Sequence, residues 1–315
     1  MVRFAATRLV AALPVLLLVS LVSFSVMHLI PGDPASVIAG PAATNQEIDA
    51  IRQQLGLDRP FLEQMLAWYG HVLQGDFGRS ILLNTTVWQA IVDRVPVTFS
   101  LSVLALIMTI VVGVPAGVIA ALRANTAVDA AVTGMALLGV SVPSFWLALM
   151  LIVLFSVILE WLPTGGYVPF AESPVDWFRS LLMPSLSLAL LQIGLLARIT
   201  RATMLEVLRQ DYVRTARAKG LPRVMVIGKH ALKNVMVPVI TVIGISFGLL
   251  LSGSIVIETV YSLPGIGRLL ATSIFGRDYP VIQGTLLLTA TMLVLLNLVV
   301  DLLYAAIDPR VRYGR

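Results

Sequence analysis

The chain has 315 residues, 58% of them hydrophobic and only 12% charged. Soluble globular chains are about 45–50% apolar and about 25% charged, so this composition belongs to the membrane class. There is no cysteine, which excludes disulfides, thiol catalysis and Cys-based metal sites. The three histidines, His28, His71 and His230, are far apart in sequence, and no metal site is expected.

Charge-free runs mark the membrane segments: Leu9 to Ile30, Val95 to Leu122, Ala130 to Leu159, Ser180 to Ala197, Asn234 to Ile257 and Tyr279 to Val300. Each can hold the ~17–25 apolar residues that cross a hydrocarbon core. They predict an all-α polytopic protein with six spans at about 9–30, 98–122, 130–159, 181–197, 235–257 and 280–300. Arg3 and Arg8 could begin a signal peptide. The apolar stretch after them is longer than the ~7–15 residues of a signal core and no Ala-x-Ala site follows it, so a retained helix is expected.

Between the first two spans lies a long loop, 31–94. It opens with Pro31-Gly32-Asp33-Pro34, which cannot continue a helix. Thr44-Asn45-Gln46-Glu47 reads as a capping box, with Gly56 as a stop for that helix. A second helix is expected to start near Pro60, carry Phe61, Met65, Trp68, Val72 and Leu73 at helical spacing, and end at Gly75. This loop is a small folded cap that either packs on helix ends or meets an incoming ligand or delivery protein.

Pro14, Pro115 and Pro143 lie inside spans, and Gly113/Gly117 and Gly244/Gly248 form GxxxG pairs. Close helix packing is the simpler use of such glycines, while prolines can kink a span and free carbonyls. No Asp, Glu, Lys, Arg or His sits mid-span, which argues against a self-sufficient proton-driven carrier. Gln192 and Asn297 are the strongest polar groups in the spans and either line a path or bond between helices.

The segment 198–233 is the most basic of the chain. With the N-terminus inside, inner segments carry 15 Lys and Arg and outer segments 7, so the positive-inside rule puts both termini and this segment in the cytoplasm. Within it, "DYVRTARAKGLPRVMVIGKHALKN" spans Asp211 to Asn234. Residues from about Arg201 to Lys219 suit a helix, Gly220 suits its C′ position, and Pro222 suits a restart. After the restart, Val224, Met225, Ile227, Ala231 and Leu232 share one arc at 100° per residue. Arg223, Lys229, His230 and Lys233 share the opposite arc, with Val226 the exception. Such a helix–break–helix can lie on anionic lipid or insert into a partner's groove. The small residues Thr215, Ala216 and Ala218 before the break suit insertion.

"YVRTARAKG" followed by "KHALKNVMVPVIT" resembles the cytoplasmic loop signature of ABC importer permeases of the dipeptide, oligopeptide, nickel and glutathione group. "HLIPGDPA", "LGLDRP", "GDFGRS", "SLPGIGRLL", "RDYPVIQG" and "DLLYAAIDPRVRY" match the same group in the same order, along nearly the whole chain. The resemblance implies a type I importer permease fold and a transport subunit, not an enzyme. It implies a second homologous permease, two ATP-binding subunits that hold ATP and Mg, and an external solute-binding protein. It also assigns the docking and coupling role to Arg214, Thr215, Ala216, Arg217, Gly220, Pro222, Lys229 and His230 within 211–234. Where the wider family begins this motif with Glu-Ala-Ala, this chain has Arg214-Thr215-Ala216.

The chain itself has no Walker A pattern: Gly228-Lys229-His230 lacks both the Ser or Thr and the upstream glycine. Gly265-Ile266-Gly267 lacks the strand–turn–helix setting of a dinucleotide site. No cofactor or nucleic-acid partner is therefore expected for this chain. Short peptides are the solute class the resemblance favours, and the solute-binding residues are not legible. A channel or secondary carrier working alone is the alternative class.

Overall fold

In a computed structural model the protein is described at residues 2–29, 33–40, 43–54 and 56–307. Ile30, Pro31, Gly32, Pro41 and the terminal stretch 308–315, all part of sequence expectations above, lie outside the described residues. The described chain is helical, with only one isolated bridge, Arg79 to Thr86. It divides into two compact units.

One unit is built from residues 97–264 and the ends of the first and last helices. Its elements are most of α6 (Val95–Leu122), α7 (Ala127–Ser141), α8 (Ser144–Leu151), α9 (Pro174–Leu208), α10 (Asp211–Ala218), α11 (Arg223–Met225) and α12 (Leu232–Val260). π-helical stretches follow α8 at Ile152–Ile158 and α11 at Val226–Ala231. The expected third span is not one straight helix. It bends by 101° between α7 and the helix that begins at Ser144. Pro143 is the cause: it has no N–H to give to the turn before it, and it forces Val142 out of the helical region, to ψ 122°. The basic segment and the fifth span are also continuous where a separate helix was expected. Arg223–Val260 runs on through the π stretch as one helical rod.

Two apolar clusters hold this unit. One gathers Val97, Leu101, Ala148, Leu181, Leu250, Ile257 and Tyr261. The other gathers Ala121, Leu196, Met204, Val207, Val213, Ala216, Val226, Ala231, Val235 and Val239. The glycines of α6 serve close packing, as expected: a Cβ at Gly117 would collide with the Ala197 carbonyl and Thr200 of α9. Gln192 bonds between helices, accepting from Ser246 Oγ at 3.1 Å, whereas Asn297 is exposed.

The other unit comprises residues 6–96 and 265–295. It contains α1 (Val2–Leu29, from Ala6 on), α2 (Pro34–Ala39), α3 (Asn45–Gln54), α4 (Phe61–Leu73), α5 (Val87–Val92), α13 (Ile266–Phe275) and the start of α14 (Tyr279–Ile307). The capping box forms: Thr44 N–H donates to Glu47 Oε2 at 2.7 Å, and Glu47 N–H returns to Thr44 Oγ1 at 3.4 Å. The backbone bond from Thr44, then its hydroxyl, holds the Glu47 carboxyl below its ordinary pKa. Gly56 and Gly75 sit at φ +67° and +81°, past the ends of α3 and α4. The cap packs α4 on α1 through Phe24, whose ring lies 5.3 Å from Phe61 and 5.6 Å from Trp68. Asp278 pins the 80–83 turn by accepting from Ser80 Oγ at 2.5 Å and Leu82 N–H at 3.1 Å.

Among the described residues, four helices are long and apolar enough to cross a membrane, or five if the bent pair counts as one span. Their exposed Leu, Ile and Val side chains, such as Val111 and Leu249, are what a lipid-facing surface requires.

Candidate coupling surface

The basic segment folds into a turn whose geometry follows from its sequence. α9 ends at Leu208, and Gln210 at ψ 146° separates it from α10, a break that the sequence reading did not foresee. Along α10 only Val213 and Ala216 are buried, three residues apart and facing one apolar cluster. Gly220 then takes φ +75°, a region that costs an L-residue with a side chain about 1–2 kcal/mol. Its N–H donates to Arg217 O at 2.9 Å, and Leu221 N–H reaches Ala216 O at 3.4 Å. These two bonds are the Schellman pair, and Leu221 adds the apolar contact that goes with it. Pro222, at φ −62° and ψ 143°, caps the next helix.

The π stretch re-phases the helical rod beyond it. Because it bonds i to i+5, residues five apart share a face. Val226 and Ala231 are therefore both buried, while Val224 and Met225 point outward. This corrects the arc drawn at 100° per residue, in which Val226 was the outlier. A bond from Asn234 Nδ2 to Tyr212 Oη at 2.8 Å joins this rod to α10.

The expected coupling residues divide by exposure. Arg214, Thr215, Arg217, Gly220, Pro222 and Lys229 are exposed on the turn, and His230 is half-buried. Ala216 is committed to the chain's own core. Arg217 and Arg223 also edge a hollow of about 390 Å³ floored by Ala121, Leu122, Leu208 and Val226. The turn thus presents guanidinium and ammonium groups on a capped backbone. Arg214, whose side chain is 75% exposed, has among the described residues only a long 3.4 Å contact with Asp211.

Three further polar contacts brace the rods, and sequence reasoning found none of them. Arg201 of α9 holds Asp129 of α7. Thr98 Oγ1 of α6 donates to Glu258 Oε1 of α12 at 2.7 Å, with both side chains buried. The Tyr261 hydroxyl lies 3.2 Å from Ser187 Oγ and 3.2 Å from the Ala148 carbonyl. Each joins residues 72 or more apart, a separation at which no local periodicity points to a partner. The sequence signal is limited to polarity just beyond an apolar run at Asp129, Arg201, Glu258 and Tyr261; Thr98 and Ser187 lie inside such runs.

Residues 113–313 match the family described as binding-protein-dependent transport system inner membrane component, and residues 1–102 match the N-terminal region of such components. The chain belongs to this family. Among curated relatives, a peptide transport system permease protein of Brucella abortus strain 2308 is 51% identical over 97% of this chain and 98% of its own length. The glutathione transport system permease protein of Escherichia coli K12 is 44% identical over 99% of this chain and all of its own. Among solved structures, the MetNI methionine ABC transporter in an inward-facing conformation aligns at 18% identity. That alignment has a TM-score of 0.60 and covers 70% of this chain and 97% of the other. At that identity the likeness carries the fold alone. The protein is a multi-pass membrane permease component of the ABC importer family.

Proposed function

We propose that this permease moves short peptides across the cytoplasmic membrane as one of two related membrane subunits, driven by two ATP-binding subunits and supplied by an external solute-binding protein. The observation that carries this reading is the exposed, Schellman-capped basic turn around Gly220, continuous through one helical rod with the span of α12. A stiff turn rooted in a span transmits displacement, which a loose loop cannot do. Relatives named for peptide and glutathione transport, at 44–51% identity over nearly the full chain, support the solute class. The reading uses six spans, counting α1 and the bent α7–α8 pair, with both termini in the cytoplasm. That orientation places the basic turn on the side rich in Lys and Arg. ATP and Mg would be held by the partner subunits, since this chain carries no phosphate loop.

Purification of the tagged protein from its native membrane in mild detergent, with every co-purifying chain quantified, tests this. Stoichiometric recovery of a second permease and of Walker A-bearing subunits is expected, with ATP-dependent peptide uptake after reconstitution. Recovery of this chain alone, moving solute without ATP, would establish a stand-alone carrier instead.

A further inference from the structure

Charge that the coupling turn does not use collects at the other end of the same unit. Between the π stretch after α8 and the first turn of α9 lies a hollow of about 580 Å³, within the ~300–1,000 Å³ typical of small-molecule sites. Its lining includes two carboxylates, Glu160 and Asp176, one guanidinium, Arg179, and two aromatic rings, Trp161 and Tyr167.

The hollow is built on a fixed wall. Gly166 N–H donates to the Tyr261 carbonyl at 3.0 Å, and Gly165 sits so close to that carbonyl that a Cβ would collide with it. Tyr261 is itself 1% exposed and anchored to α8 and α9, so the loop at 163–167 is fastened to the end of α12. Glu160 takes φ +55° as the left-handed residue that ends the π stretch, and Trp161 N–H reaches back to Phe155 O at 2.9 Å, so the backbone that carries the carboxylate is fixed by the helix end.

The charges are placed but not spent on one another. Arg179 gives one N–H to the Trp161 carbonyl at 2.9 Å. Among the described residues it forms no ion pair with Glu160 or Asp176, although all three line one hollow. Asp176 uses one oxygen to accept from Ser173 Oγ at 2.8 Å. The groups left over are two carboxylates, a guanidinium and two aromatic rings, all lining the one hollow. A molecule with an ammonium at one end, a carboxylate at the other and an apolar side chain complements all three. The ammonium meets Glu160, the carboxylate takes the Arg179 fork, and the side chain lies on Trp161 and Tyr167.

We propose that this hollow is a binding site for the two free termini of a short peptide, a waypoint fixed to the end of α12. It rests on the peptide reading above. A test is to reconstitute the assembled transporter in nanodiscs and titrate it with the dipeptide alanyl-valine, its N-acetyl form and its C-amide. Trp161, 60% exposed at the hollow, is the fluorescent reporter, and calorimetry is the second readout. Saturable binding is expected, weakened about tenfold or more by either blocking group, the change expected from losing one charge-assisted pair. Arg179→Gln should weaken binding and remove the penalty for amidation, and Glu160→Gln the penalty for acetylation. Glu160→Gly, which relaxes the positive φ while deleting the carboxylate, serves if the Gln variant is poorly made. Peptide binding that is absent, or unchanged by these substitutions, would reduce the hollow to an interfacial aromatic belt and overturn the proposal. Uptake of alanyl-valine measured on the same preparations separates the two claims. Normal uptake with a silent hollow removes the waypoint alone. A responsive hollow with no peptide uptake removes the transport reading and leaves a site for zwitterions.

Discussion

Arg201 grips Asp129 with both arms of its guanidinium, Nε to Oδ1 at 2.5 Å and Nη2 to Oδ2 at 2.6 Å, and so ties the first turn of α7 to α9. The same carboxylate accepts the Asn125 N–H at 2.9 Å, which fixes the turn leading out of α6. One acid therefore sets the register of three rods at the end of the unit where the basic turn begins. A fork of this kind is directional: a lysine would keep the charge but not the pair of parallel bonds.

Asp129→Ala should lower the thermal unfolding midpoint of the detergent-solubilised protein. It removes the partner of a half-buried guanidinium and the acceptor of Asn125 N–H together. Arg201→Lys should lower it less. The double variant Asp129→Ala/Arg201→Ala should be no worse than the more damaging single change, because the two residues act as one contact. Additive losses would mean that each side chain works through other partners.

How much of this was legible depends on how local each feature is. The Thr44–Glu47 box and the Gly220 cap could be read because each is complete within a few residues and stems from one backbone requirement. Pro143 was visible, but its effect was not: a proline inside an apolar run can kink a span slightly or bend it by 101°, and the neighbours that decide lie elsewhere in the chain. The π stretch at Val226–Ala231 escaped because a 100° wheel assumes the very hydrogen bonding that it replaces. Asp129–Arg201, Thr98–Glu258 and Tyr261 were invisible because a single sequence carries no information on contacts between distant residues.

Gly220→Val should reduce uptake while leaving membrane insertion and expression intact. A β-branched residue at φ +75° costs about 1–2 kcal/mol in the capped turn, equivalent to roughly five- to thirty-fold in the population of the ordered turn. Uptake normalised to the amount of protein in the membrane measures this. Gly220→Asn should be milder, since asparagine tolerates the left-handed region. Equal uptake by Gly220→Val and the wild type would remove the coupling role from this turn.

Tyr261→Phe isolates a hydroxyl in an otherwise unchanged core. Ala148 O keeps its helical donor, Ile152 N–H, and Ser187 Oγ keeps Met183 O, so no group is orphaned. The expected cost is therefore that of an ordinary hydrogen bond, about 0.5–1.5 kcal/mol. It should appear as faster hydrogen exchange in α8 and at Gly166, whose N–H depends on the Tyr261 carbonyl staying in place. A change confined to α12 would show that the hydroxyl does not hold the three elements together.

The bend at Pro143 makes topology a sharp test. If α7 and the helix that begins at Ser144 together cross the membrane once, Arg123 and Trp177 lie on opposite sides, and reporter fusions at Arg123 and Arg209 read cytoplasmic while those at Arg59 and Trp177 read external. If the pair enters and returns on one face, Trp177 reads with Arg123, and every later segment changes side. Arg209 and the basic turn would then be external, placing nine Lys and Arg of 198–233 against the positive-inside rule. The charge distribution therefore favours a single bent crossing, and the fusion at Trp177 decides it.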